Sequence, residues 1–216
     1  MNPISTYYSS VFNLIRLIDG RLVSSEYKIG MEFELIAGQE VKKQTQAMKC
    51  IKKWIDTSLD QSIVFDIQTT TNTQLIEDLS NNIILTPGEP HDHLLLMLFF
   101  AKCNAIGRGY VEILTMNFES SNSQGFSYTY SGGLSDALPT VDQWLGEYRY
   151  YDQCWWHRHD GSTFEVLAES TDNLNDKPDI LVDLWAETTE HKEPATIIKL
   201  NKTNLKVFAN DTDTKQ

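Results

Sequence analysis

Residues 85–118, LTPGEPHDHLLLMLFFAKCNAIGRGYVEILTMNF, hold the most apolar helical stretch of the chain, between its sharpest stop signals, followed by its most apolar strand pattern. Thr86-Pro87-Gly88-Glu89-Pro90 is a loop-forming run. Asp92 or His91 then stands where an N-cap belongs, able to satisfy the free N–H groups of a helix start. From about 92 to 106 the sequence is apolar nearly all round, through Leu94-Leu95-Leu96-Met97-Leu98-Phe99-Phe100, which predicts a helix buried on most sides. Gly107 and Gly109 stop it. Gly107-Arg108-Gly109 follows a helix and precedes a strand, the opposite of the order a phosphate loop requires, so it reads as termination. Over 110–118 both alternating faces carry apolar residues, Val111 and Ile113 on one and Leu114, Met116 and Phe118 on the other, the pattern of a strand at the centre of a sheet.

Upstream, Val11, Leu14, Ile15 and Ile18 have helical spacing, yet Asp19-Gly20 within LIRLI-DG-RLVSS is the signal of a type I′ hairpin, and the hairpin is preferred. In YKIGMEFELI, Ile29, Met31, Phe33 and Leu35 alternate with Lys28, Gly30, Glu32 and Glu34, a strand with one face buried. Beyond Gly38, Val41, Met48, Ile51, Ile55 and Leu59 recur at helical intervals over 39–59, with Lys42, Lys43, Lys49, Lys52 and Lys53 mostly outside that stripe. SIVFDI at 62–67 suits a buried strand, so a right-handed β-α-β unit is predicted. Asn72 can cap a short helix with Leu75, Ile76, Leu79 and Ile83 inward. Phe126, Tyr128 and Tyr130 share one face of a strand that pairs with 110–118 across a long loop.

Past Gly132-Gly133 the chain becomes more aromatic and more acidic. Val141, Trp144, Leu145, Tyr148 and Tyr151 fit a helical face after a capping-box pattern at Thr140 and Gln143. CWWHRH-DG-STFEVLAE carries a second Asp-Gly hairpin signal, which would set His159 opposite Ser162, His157 opposite Phe164 and Trp156 opposite Glu165. DILVDLWAE, then ATIIKL with NLKVF, are further strand candidates, and NDTDTKQ is expected to be a disordered tail.

The expected fold class is therefore α+β: a mixed β-sheet with strands near 27–36, 62–67, 110–118 and 126–131, covered by two main helices at 39–59 and 92–106, with a β-rich, acidic C-terminal third. The expected organisation is an α+β core over 1–131, a C-terminal subdomain or sheet extension over 132–209, and the tail 210–216.

A chain of 216 residues buries about 70% of its surface on folding, so neither metal nor disulfide is needed to hold it. Cys50, Cys103 and Cys154 are dispersed and odd in number, which reads as reduced thiols. No basic n-region precedes an apolar run, and the run Leu94 to Ala101 is far below the ~20 residues of a membrane span. A cytoplasmic protein without a membrane partner is expected. The formal charge is −12, and fourteen acids against Arg149, Arg158 and Lys177 fall between Asn117 and Glu190.

Four of the five histidines form two His-x-His pairs, His91/His93 and His157/His159. On a strand, residues two apart share a face, so His157 and His159 can offer two imidazoles to Zn or another divalent metal, with Asp160 or Asp152 as an oxygen ligand. The plainer reading is a polar hairpin tip. His91 and His93 straddle a helix start, and the two pairs make one site only if they meet in space. Trp155 and Trp156 beside Arg158, with Glu165 diagonal to it, carry the residue types that anchor interfaces, although tryptophans equally fill cores. The lysine-rich helix lacks the aromatic interleaving of a nucleic-acid face, and can dock an acidic partner, including the acidic half of a second copy.

Pro87-Gly88-Glu89-Pro90-His91-Asp92-His93-Leu94-Leu95 through Lys102-Cys103-Asn104-Ala105-Ile106, with QTQAMKCIKKWIDTSLDQSIVFD ahead of it, resembles segments of uncharacterised proteins encoded by large tailed bacteriophages. Together these stretches cover about a fifth of the chain. The resemblance implies a viral, host-cytoplasmic setting and adds no site residues.

Three functions follow as expectations. The first is a non-enzymatic, phage-encoded binding or assembly protein with a protein partner or homo-oligomer, no direct nucleic-acid contact and no cofactor. The second is a divalent-metal-dependent hydrolase using the paired histidines. The third is an acidic nucleic-acid mimic that occupies a DNA-binding protein.

Overall fold

Asp19 and Gly20 have φ of 50° and 70°, the backbone a two-residue I′ turn needs. They join β1 (Ser5–Ile18) to β2 (Arg21–Leu35) in unbroken antiparallel register from Ser5↔Glu34 to Ile18↔Arg21. The hairpin expected from Asp19-Gly20 is thus present, and it is far longer than the turn signal alone implies. A computed structural model describes residues 5–69, 82–132, 138, 154–159 and 161.

Among the described residues four shorter strands join the sheet: β3 (Ser62–Asp66), β4 (Ile83–Thr86), β5 (Val111–Ser120) and β6 (Ser127–Ser131). Their order is β4-β3-β1-β2-β5-β6, with β3 parallel to both β1 and β4 and the remaining pairs antiparallel. The sheet is mixed and the class α+β, as the patterning predicts.

Helix α1 (Val41–Trp54) continues through one π-helical turn, Ile55–Leu59, and α2 spans Asp92–Gly107. Both lie on one face. Phe99 of α2 meets Phe12 and Phe118 of the sheet at ring-centroid distances of 6.4 and 5.7 Å, and Trp54 of α1 meets Phe99 at 5.9 Å. Tyr27 stacks on Phe118 at 4.7 Å beneath them. Arg108 (φ 50°) and Gly109 (φ 72°) take the left-handed backbone that ends α2, so the Gly-Arg-Gly run is a helix stop.

Three expectations about connectivity change. Helix α1 does lead from β2 to β3, but β3 lies beside β1. Since β1 runs antiparallel to β2, the strands flanking α1 are antiparallel and separated by β1, and no parallel β-α-β unit forms there. Ile83, assigned to the inner stripe of a short helix, opens β4; the rest of that stretch, 70–81, lies outside the described residues.

Strand β5 is second from the edge, between β2 and β6, and the hairpin β1-β2 takes the centre. The apolar residues on both of its alternating faces come from a phase change. Glu32 pairs with Thr115 and Phe33 with Ile113, which leaves Leu114 as the extra residue of a bulge. Before it the odd positions Val111 and Ile113 are buried; after it the even positions Met116, Phe118 and Ser120 are. A one-residue insertion reverses which alternate side chains face the helices, so one buried face mimics two.

Residues 154–159 do not extend as a strand. Trp155–His157 is a 3-10 turn, closed by His157 N–H donating to Cys154 O at 2.9 Å. Cys154, Trp155 and Trp156 belong to the same buried core as both helices, so this piece of the C-terminal third is part of the main core. The hairpin partners expected for it, Ser162, Phe164 and Glu165, lie outside the described residues. So do the helix around Trp144, the later strand candidates and the tail 210–216.

Candidate functional site

A buried polar cluster sits under the start of α2. Arg16 Nη1 donates to Asp92 Oδ1 at 2.6 Å and to Pro90 O at 3.2 Å. Tyr27 donates its phenol to Asp92 Oδ1 at 3.1 Å, and Ser120 Oγ donates to Asp92 Oδ2 at 3.0 Å. The side chains of Arg16 and Asp92 are only 7% and 13% exposed, so the pair depends on its hydrogen bonds to offset lost hydration. Alternation sets the geometry, because Arg16 and Tyr27 occupy inward positions of β1 and β2 and Ser120 occupies one of β5.

Of the two cap candidates, Asp92 and His91, the second takes the position. His91 is the N-cap residue, without a side-chain cap bond, and Asp92 is the first helical residue. Its carboxylate points to the sheet, where three donors and the positive end of the helix dipole favour the ion. Burial drives the Tyr27 phenol above its ordinary pKa, with the Asp92 charge adding to the rise against the Arg16 charge. Tyr27 therefore stays a neutral donor. Every carboxylate oxygen of Asp92 is engaged within the fold, and the cluster works as a clamp between β1, β2, β5 and α2.

The two histidine pairs differ in setting. His91 and His93 are exposed and their rings stack 5.8 Å apart, with His91 Nε2 3.0 Å from Glu89 Oε2. His157 is half-buried in the 3-10 turn and His159 is exposed beyond it. The shared strand face proposed for His157 and His159 is absent because the segment is a turn. Among the described residues, His, Cys, Asp and Glu side chains form no group of three placed to hold a metal ion; Asp160 and Asp152 lie outside them. Burial lowers the pKa of His157.

Trp155 and Trp156 are fully buried and Arg158 is 4% exposed, so of the two placements left open for the tryptophans, core and contact surface, the core is the one they take. Lys102 of α2, wholly buried, holds this segment: its Nζ donates to Trp155 O at 2.7 Å and to Arg158 O at 3.3 Å and lies 5.7 Å from the Trp155 ring. Trp155 Nε1 donates to Leu85 O at 3.0 Å on β4. Cys50, Cys103 and Cys154 are buried outside any disulfide, and burial raises the Cys103 thiol well above its usual pKa, which keeps it unreactive.

The accessible feature that sequence reasoning missed is the outer edge of β1. Strand β3 pairs with β1 only at Leu14, Ile15 and Arg16. Asn13 shows which way the backbone faces, since its N–H donates to Asp60 Oδ1 at 2.8 Å and its C=O accepts from Gln61 N at 2.7 Å, both on the side away from β2. By the two-residue period, Ser5, Tyr7, Ser9 and Val11 present their N–H and C=O groups on that same side. Among the described residues no strand pairs with them. Tyr7 and Val11 are 63% and 56% exposed.

This edge borders a cleft of about 290 Å³ lined by Thr6, Tyr7, Tyr8, Phe33, Thr45, Met48, Lys49 and Lys52. Thr45, Met48, Lys49 and Lys52 are one stripe of α1 at helical spacing, adjacent to the buried stripe of Gln44, Ala47, Ile51 and Trp54. Gly30 lets the Tyr7 ring lie across β2: a Cβ there would collide with the phenol. The floor is apolar through Tyr8, Phe33 and Met48, and the rim is cationic. Lys52 bonds Asp56 four residues on, which raises its pKa; Lys49 has no acidic partner among the described residues.

No helix among the described residues is long and apolar enough to cross a membrane. No family model and no curated protein matches the chain. Among solved structures it is similar to an uncharacterized protein from Wolinella succinogenes, at 12% identity over 61% of this chain and 98% of that one with a TM-score of 0.38. It is also similar to 6-pyruvoyl tetrahydropterin synthase from Plasmodium vivax, at 11% identity over 60% and 98% with a TM-score of 0.36. At that distance no site residue is carried across.

Proposed function

We propose that the protein is a non-enzymatic binding or assembly protein that takes up a strand from its partner along the outer edge of β1. The observation that supports this most is the stretch Ser5–Val11, along whose outer side no strand pairs among the described residues. Exposed edges are ordinarily guarded by charge, proline, a bulge or shortness. The other two borders are short, four residues in β4 and five in β6. Ser5-Thr6-Tyr7-Tyr8-Ser9-Ser10-Val11 has none of these guards and is rich in tyrosine, a residue type suited to contact surfaces. Strand addition to such an edge draws affinity from main-chain hydrogen bonds and specificity from pockets that receive alternate side chains, and the cleft beside α1 is such a pocket. The resemblance of Pro87 through Ile106 to phage-encoded segments supports a viral setting for the protein.

Val11→Pro tests the reading. The Val11 N–H faces away from β2, so proline there leaves the β1-β2 ladder whole while blocking an added strand. Peptides selected from a random displayed library on the full chain should lose binding to Val11→Pro, whose circular dichroism and melting match the parent. A selection that returns no peptides, or only peptides that bind both proteins equally, sinks the proposal.

A further inference from the structure

Resting on that docking site, we infer that the segment it accepts is an acidic one: an extended stretch of a separate protein in which Asp or Glu alternates with apolar residues. A strand laid along Ser5–Val11 sends every second side chain, about 7 Å apart, toward the helix-covered face. There it meets an apolar floor of Tyr8, Phe33 and Met48 and a rim of Lys49 and Lys52, with no acidic residue among the lining side chains. Lys49 is exposed and has no acidic partner among the described residues. Lys52 is engaged with Asp56 at a solvent-exposed site, with side chains 56% and 43% exposed. Water screens so exposed a pair, so Lys52 can exchange one carboxylate for another.

The same charges argue against β1 of a second copy as the occupant. A two-fold pairing of β1 with β1 would set the α1 lysines of both copies across one axis.

The probes are two short fluorescent peptides, one alternating Val with Glu and one alternating Val with Lys, together with the Val-Glu peptide N-methylated at alternate backbone nitrogens. Fluorescence anisotropy should show the Val-Glu peptide binding at least about tenfold tighter than the Val-Lys peptide at low salt, with the gap narrowing as salt rises. Lys49→Glu should remove that preference, and both N-methylation and Val11→Pro should abolish binding. If the Val-Lys peptide binds as tightly and is still lost on Val11→Pro, the acidic preference falls while the docking edge stands. If neither peptide responds to Val11→Pro, both fall. Concentration-dependent dimerisation by light scattering that disappears in Val11→Pro would assign the edge to a second copy and overturn the inference.

Discussion

The two halves of β1 obey one alternation and meet opposite surroundings. From Leu14 to Arg16 the strand has a neighbour on each side, β2 and β3, and Arg16 reaches a buried carboxylate. From Ser5 to Val11 its strand partner among the described residues is β2 alone, and its outward residues are exposed. The contrast shows that burial along a strand is decided by what lies beside and above it, and only secondarily by its own pattern. Tyr8 and Phe12 face the same way as Arg16. Phe12 lies under Phe99, whereas Tyr8 lines an open cleft.

Breaking the buried half should have the largest effect. Asp92→Ala leaves Arg16, Tyr27 and Ser120 without their shared acceptor, and removing one partner of a buried ion pair costs about 3–5 kcal/mol, measurable by urea denaturation. A loss below about 1 kcal/mol would show that water reaches the cluster freely. Phe12→Ala, which opens a void beneath Phe99, should cost about 3–5 kcal/mol in the same assay.

Acidity should loosen the buried side next. His157, whose folded pKa lies below its ordinary 6.5 because of burial, binds protons more readily unfolded. The stability it contributes is present above about pH 6.5 and is lost as pH falls through its folded pKa. His157→Gln should flatten that dependence in melting curves taken across mildly acid pH. Tyr27 acts at the other extreme. Its raised pKa means that the folded state retains a proton the unfolded chain gives up above about 10, so stability should fall in strong alkali, and Tyr27→Phe should remove the decline.

The open half should respond least in stability. Val11→Ala, at an exposed site, should shift stability by no more than about 0.5 kcal/mol. Gly30→Ala should likewise leave melting nearly unchanged while displacing the Tyr7 ring from β2 and weakening peptide binding. If Val11→Ala cost as much as Phe12→Ala, the edge of β1 would be covered in solution.

Local chemistry was legible where the chain talks to its near neighbours. Asp19-Gly20 announces a hairpin, the stripe through Ile51 and Ile55 announces α1, and Gly107 with Gly109 announces the end of α2. What was hidden depends on residues distant in the chain. The position of β5 was misjudged because the bulge at Leu114 imitates a two-faced apolar strand. Asp92 looked like a cap because its true partners, Arg16, Tyr27 and Ser120, lie on three different strands. Trp155 and Trp156 fitted a surface and a core equally well because nothing near them in sequence reveals Lys102. The cleft at Thr6, Tyr8 and Met48 had no local signal either, since a free edge is defined by the strand that fails to reach it.

Lys102 also dictates an order of events during synthesis. Two of the carbonyls that hold it belong to Trp155 and Arg158, 53 and 56 residues further along. Helix α2 leaves the ribosome before these two acceptors of its buried charge have been made. Its docking on the sheet is complete only after residue 158 emerges, so a nascent chain stopped before that point should remain open to protease along α2, while the β1-β2 hairpin, which needs only its own residues to pair, can already have formed.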